Sequence, residues 1–263
     1  MISHIILPER AKSARTAGAG RFGRSVAPVM IKDRRFALIF RTASLLFALS
    51  GLLSMMGVFR GELYPSILMY YTIQSNILAV ILLALLTIRT AFGLRWGITG
   101  SAGFFARFEM VCVIDTMLTF VVYWVLLAPN LFSMVDGYSL WAFDNLAVHC
   151  FTPLICLADY ILFTQSRHLK YRDVYTVVIY PLIYVAATSL AGLFGYVYYT
   201  SASDGLPVRF PYYFYDFDRI GVDSLYYIGA LVVFFLIAAH VFYLFDAKLR
   251  KNYWNTDDKG NAE

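Results

Sequence analysis

Charge is scarce in this chain. Asp, Glu, Lys and Arg make up 15% of its 263 residues while apolar types make up 60%, whereas soluble domains carry about 25% charged residues. The charges that exist are gathered into short stretches between long apolar runs, and the mean hydropathy is +0.63. That pattern excludes a water-soluble globular class, and it excludes nucleic-acid binding as the reason for an isoelectric point near 9.0. Cysteine is also scarce. Cys112, Cys150 and Cys156 lie inside apolar runs, with no CxxC pair and no histidine at metal spacing, so neither a disulfide framework nor a metal site is expected. No cofactor is called for. The first 35 residues contain no apolar segment of the length a signal peptide requires, His4 to Leu7 being too short. Inverted repeats and paired Gly/Pro-broken spans, the marks of many secondary transporters, are missing too.

What is present is a set of apolar runs. A helix needs roughly 20 residues to cross about 30 Å of hydrocarbon, and six segments are long enough: Phe36 to Val58, Pro65 to Ile88, Phe108 to Ala128, Asn145 to Phe163, Val174 to Tyr199 and Ser224 to Phe245. The expected fold is therefore an all-α polytopic membrane protein of six transmembrane helices. Lys and Arg collect in the N-terminal segment, around Arg89, Arg95 and Arg107, around Arg167, Lys170 and Arg172, and after Lys248. The intervening loops hold only Arg60, Arg209 and Arg219, next to acids such as Asp204, Asp216 and Asp218. By the positive-inside rule both termini face the cytoplasm, and a bacterial inner membrane is the expected location. The chain divides into a basic arm (1–35), the helical domain (36–247) and a polar tail (248–263). The arm is expected to be disordered and to rest on anionic lipid. Its composition also has the look of a transit peptide, and a start at Met30 is a plainer alternative.

The segment from Leu206 to Arg219 crowds aromatic residues between and after two prolines. It reads either as an interfacial aromatic belt or as a lid over a cleft that admits lipid, with Trp141 and Phe143 forming the opposite lip.

Polar groups inside a membrane are expensive, which makes them candidates for function. They fall into two layers. In the outer half, Thr72 and Asn76 on helix two are four residues apart, as are Asn145 and His149 on helix four, so each pair shares a helix face. A hydroxyl opposite an imidazole is the raw material of nucleophilic acyl transfer: the imidazole takes the hydroxyl proton, and amide or hydroxyl donors such as Asn76, Asn145, Gln74 and Ser75 stabilise the oxyanion. The bland alternative is that intramembrane Thr bonds its own backbone and Asn joins helices. In the inner half, Arg41, Asp115, Asp159 and His240 are expected at one depth, where they would pair as a structural clamp or line a proton or ion path. The enzyme reading thus competes with a small transporter and with a non-catalytic interaction protein.

The run Tyr70-Tyr-Thr-Ile-Gln-Ser-Asn76, followed by Asn145-Leu-Ala-Val-His149 with Pro153 four residues beyond the histidine, resembles the Pr6Pr-type six-helix membrane proteins of bacteria. These are relatives of the androgen-induced and androgen-dependent TFPI-regulating proteins of animals. The resemblance spans roughly residues 36 to 250. It implies an intramembrane threonine hydrolase of fatty acyl esters of hydroxy fatty acids, with Thr72 as nucleophile and His149 as base. The partners it implies are membrane lipids and a lipid ester substrate.

Overall fold

The computed structural model describes residues 30–63, 65–98, 103, 105–129, 139–164, 169–201 and 204–260, with side chains described as far as residue 247. Most of the basic arm, and the loop charges Asp136 and Arg167, lie outside the described residues. The chain is an all-α polytopic membrane protein. Its six helices long and apolar enough to cross a membrane are α1 (Arg34–Met55), α2 (Tyr71–Arg95), α3 (Ala106–Leu127), α4 (Phe143–Phe163), α5 (Tyr171–Leu193) and α6 (Gly221–Ala247). Beyond its apolar span α6 continues as helix to Gly260, through what the sequence suggested was only a polar tail.

The distribution of polarity is inverted relative to a soluble protein. Ile39, Leu46, Ile183, Leu190, Ile237 and Leu244 are exposed on helix faces, whereas Arg41, Asp115, Thr116 and Thr152 are completely buried. Lipid tails are as apolar as leucine, so burying leucine gains little. A charged or hydroxyl group, in contrast, has to find a protein partner.

Neighbouring helices run antiparallel, and side-chain ties mark the two ends of the bundle. At the end where α1 begins and the apolar span of α6 finishes, Ile31 N–H donates to Leu162 O at 3.0 Å and Arg107 pairs with Asp173 at 2.7 Å. Tyr160 donates to Asp246 there at 3.1 Å, and Arg34 lies against Gly93, where an added Cβ would sit 1.9 Å from its Nη1. We call this the terminal end and the other the loop end. α1 also crosses α4 very closely, since a Cβ on Gly51 would fall 2.3 Å from that of Ala147.

Two boundaries differ from the sequence expectation and together shape the loop end. Residues Pro65–Met69 form a 3-10 turn, Tyr70 is extended (ψ 136°), and the α-helix starts only at Tyr71. Ser75 Oγ lies 2.9 Å from Thr119 Oγ1, eight residues inside the end of α3. The first turn of α2 is therefore recessed by about 6 Å below that end. α5 stops at Leu193 rather than near Tyr199: Gly195 takes a left-handed φ of 87° and Tyr196 N–H reaches back to Ala191 O at 2.9 Å, a helix stop built on glycine. The chain then makes a small hairpin, Tyr199–Thr200 against Pro207–Val208, and the aromatic segment folds inward over the recess. Phe210, Phe214 and Tyr215 are buried.

Candidate active site

A helix that starts inside a membrane leaves its first N–H groups without partners, and Tyr70 supplies no side-chain cap. Tyrosines from other elements meet the need. Tyr71 N–H donates to the Tyr184 hydroxyl at 3.1 Å, and Tyr184 in turn donates to Met69 O at 2.9 Å. The Tyr212 hydroxyl, delivered by the aromatic segment, sits beside the backbone of Tyr71 and Thr72, the Thr72 side chain and the Tyr184 hydroxyl. Burial pushes the Tyr212 hydroxyl above its ordinary pKa, so it stays protonated. Two further bonds fasten the segment: Tyr215 with Thr188 at 2.9 Å and Tyr213 to Leu126 O at 3.2 Å.

Beside this cap lies a narrow cavity of about 70 Å³. Thr72, Thr119, Tyr184, Tyr212 and Tyr215 supply its hydroxyls, and aliphatic and aromatic side chains of α3, α5 and α6 form the rest of its wall. Of the aromatic segment, which we call the lid, Tyr212, Phe214 and Tyr215 line the cavity. Trp141 and Phe143, exposed at 75% and 50%, do not line this cavity.

His149 lies near Thr72 without touching it. The Asn76 amide donates to Thr72 O at 2.8 Å and to Val148 O at 3.1 Å, so one nitrogen staples the Thr72 peptide to the peptide preceding His149. No hydrogen bond joins the two side chains. The imidazole is 4% exposed and lies face to face on the Tyr123 ring, 3.7 Å between centroids and 12° between planes. Its Nδ1 is buried with no hydrogen-bond partner. Tyr123 lines the cavity and His149 does not, so the phenol screens the imidazole from it. Both residues sit on π-helical turns, Tyr123–Leu127 in α3 and Ala147–Phe151 in α4, a departure from α-helix that recurs at functional sites. In α4 the cause is visible. Pro153 has no N–H to give the carbonyl of His149 four residues back, and the wider turn ends beside it.

The other outer-half candidates are already committed, which corrects their expected role as oxyanion donors. Asn145 gives its amide to the Tyr123 hydroxyl and to the carbonyls of Ser139 and Leu140. Gln74 donates to Leu68 O at 2.9 Å and accepts from Tyr180 at 2.9 Å. Ser75 donates to Thr72 O at 3.0 Å. Asn76 is the staple already described.

The inner layer divides. Arg41 and Asp159 do pair, bidentately, with Nε to Oδ1 at 2.7 Å and Nη2 to Oδ2 at 2.8 Å, while Nη1 reaches Thr90 Oγ1 at 2.7 Å. Asp115 and His240 do not join them, a correction to the expectation of one clamp. Asp115 turns towards α2 and accepts from the Tyr71 hydroxyl at 3.0 Å. His240 turns towards the start of α5, with Nδ1 2.6 Å from Leu236 O and Nε2 3.3 Å from the Tyr171 hydroxyl. Equal depth does not bring side chains together when their helical phases differ. Sequence reasoning also passed over Glu109, buried at the terminal end and bonded by Thr164 at 2.6 Å.

No family model matches the chain, and no curated protein or solved structure is significantly similar to it.

Proposed function

We propose that the protein is an intramembrane lipid ester hydrolase of the Pr6Pr type, with both termini cytoplasmic in a bacterial inner membrane, and that Thr72 attacks the acyl carbon. The observation that carries this reading is the position of the Thr72 hydroxyl. Thr72 lines an apolar cavity at the recessed start of α2, where the Tyr184 hydroxyl already accepts from the Tyr71 backbone N–H. An ester carbonyl that reached this helix start would meet its first backbone N–H groups and the positive end of the α2 dipole. His149 takes the Thr72 proton once the Tyr123 ring swings aside, the carbonyl oxygen gains the negative charge, and the leaving alkoxide then takes the proton from the imidazole. Water repeats the sequence in reverse on the acyl-threonine and releases the acid.

The test is hydrolysis of long-chain esters by purified protein, together with fluorophosphonate labelling. Thr72→Ala and His149→Ala each remove nearly all turnover, the double variant is little worse than either, and Thr72→Ser keeps some activity. Full turnover in either alanine variant, with folding intact, rejects the reading.

A further inference from the structure

The cavity has direction. Because consecutive spans alternate in direction, the lining residues of each helix can be ordered from the loop end inwards. The innermost are Leu118 on α3, Pro181 on α5 and Phe235 on α6. Phe235 is the largest of the three and only 2% exposed. On α6 the lining runs from Ile228 to Phe235 and on α3 from Leu127 to Leu118, which is about 10 to 14 Å of helix rise. At the loop end stand the hydroxyls of Thr72, Tyr184, Tyr212 and Tyr215. Beyond them the wall is Val122, Leu182, Val185, Leu231 and Val232. One end gathers most of the hydroxyls; deeper in, the one hydroxyl, that of Thr119, is spent on Ser75 and the Asp115 carbonyl, so the wall there is oily. The long axis runs along the membrane normal, as an outer-leaflet acyl chain lies.

We propose that this cavity holds a single acyl chain whose carbonyl end rests at Thr72 and whose methyl end stops against Phe235, so that Phe235 sets the longest chain the protein accepts. The hydrolase reading supplies the identity of the carbonyl end; the chain site stands on the cavity itself. Moving a chain from a bilayer or micelle into this space gains little hydrophobic energy, because tails and pocket are equally apolar. Selectivity therefore comes from fit. A packed pocket wall rejects an extra methylene by about tenfold or more.

The experiment uses full-length protein in detergent and a series of saturated free fatty acids competing with a fluorescent fatty acid, with hydrolysis of the matching esters measured in parallel. In the wild type, competition is flat up to one chain length and falls at least about tenfold for chains beyond it. Phe235→Ala moves that break to longer chains, Phe235→Leu moves it less, and Phe235→Trp moves it to shorter ones. A break that stays at the same length in folded Leu and Trp variants, or the lack of any break, overturns the proposal. A break that moves while no ester is cleaved by any variant confirms the chain site and rejects the hydrolase.

Discussion

The two ends of the bundle treat buried polar groups in opposite ways. At the terminal end and in the half next to it, charge meets charge or hydroxyl: Arg41 with Asp159 and Thr90, Glu109 with Thr164, Asp246 with Tyr160, Arg107 with Asp173. At the loop end a helix starts late, a cavity opens next to it, and His149 Nδ1, Thr152 Oγ1 and Asn76 Oδ1 are buried without partners, as Asp115 Oδ2 also is in the inner half. Unpaired buried polar groups cost stability, and proteins tolerate that cost where an unsatisfied group has work to do. The difference teaches that the charged residues, which attract attention first in a membrane sequence, here hold the helices together. The neutral ones, a threonine and an imidazole, mark the candidate site.

The comparison is broken most severely at the clamp. Asp159→Asn leaves the Arg41 guanidinium, 0% exposed, facing a neutral amide, and removing one partner of a buried pair costs about 3–5 kcal/mol. Thermal unfolding in detergent should show this loss, and replacing both partners with apolar residues of similar volume should recover most of it. Thr72→Ala should cost at most about 1 kcal/mol, the worth of one hydrogen bond. Equal losses at the two ends would erase the distinction between them.

A finer test acts on the screen over His149. Tyr123→Phe keeps the ring on the imidazole and gives up the bond from Asn145, a loss of about 1 kcal/mol. Tyr123→Ala removes the ring and leaves a cavity, a loss of about 3–5 kcal/mol for a large aromatic residue. The informative readout is the rate at which diethyl pyrocarbonate modifies His149. It should rise sharply in Tyr123→Ala and stay near wild type in Tyr123→Phe. A Phe variant as reactive as the Ala variant would show that the phenol hydroxyl, not the stacked ring, keeps the imidazole covered.

Much of the fold was legible because membrane helices announce themselves by length and apolarity, and the six spans follow the six runs. The recess of α2 was not. Pro65 marks a start, and Ile67 to Met69 continue an apolar run, so nothing local says that the α-helix waits until Tyr71. The delay is stabilised by Tyr184, more than 100 residues away, and tyrosines are too numerous here, at 20, for one of them to stand out. The faces of Thr72 and His149 were readable from four-residue spacing. That Asn76 and Asn145 spend their amides on carbonyls and on Tyr123 was not, since spacing gives a residue's face and leaves its partner open. The π turn of α4 had a visible sign in Pro153, four residues after His149; the one in α3 has none that we can identify.

The smallest expected effect is in the lid, and it concerns pH. Arg219 Nη1 donates to Asp204 Oδ2 at 2.9 Å, and Leu206 N–H donates to its Oδ1 at 3.1 Å. These bonds, the arginine foremost, hold the Asp204 carboxyl down to about 2. A carboxyl whose pKa is lowered by folding contributes its stabilisation above the ordinary carboxylate range, near 4, and loses it as pH falls through the folded value. The tie is therefore complete from pH 5 to 8 and weakens only below about 4. Because the pair is exposed to water, its effect on global unfolding is small. It should be read locally, as hydrogen exchange at the backbone amides of Leu206 and Arg219. Protection there should be constant between pH 5 and 8 after correction for intrinsic rates, and Asp204→Asn at pH 7 should reproduce the loosening that acid brings to the wild type. A loss of protection centred near pH 6 would place control of the lid on a histidine instead, and would join the lid to the imidazole beneath it.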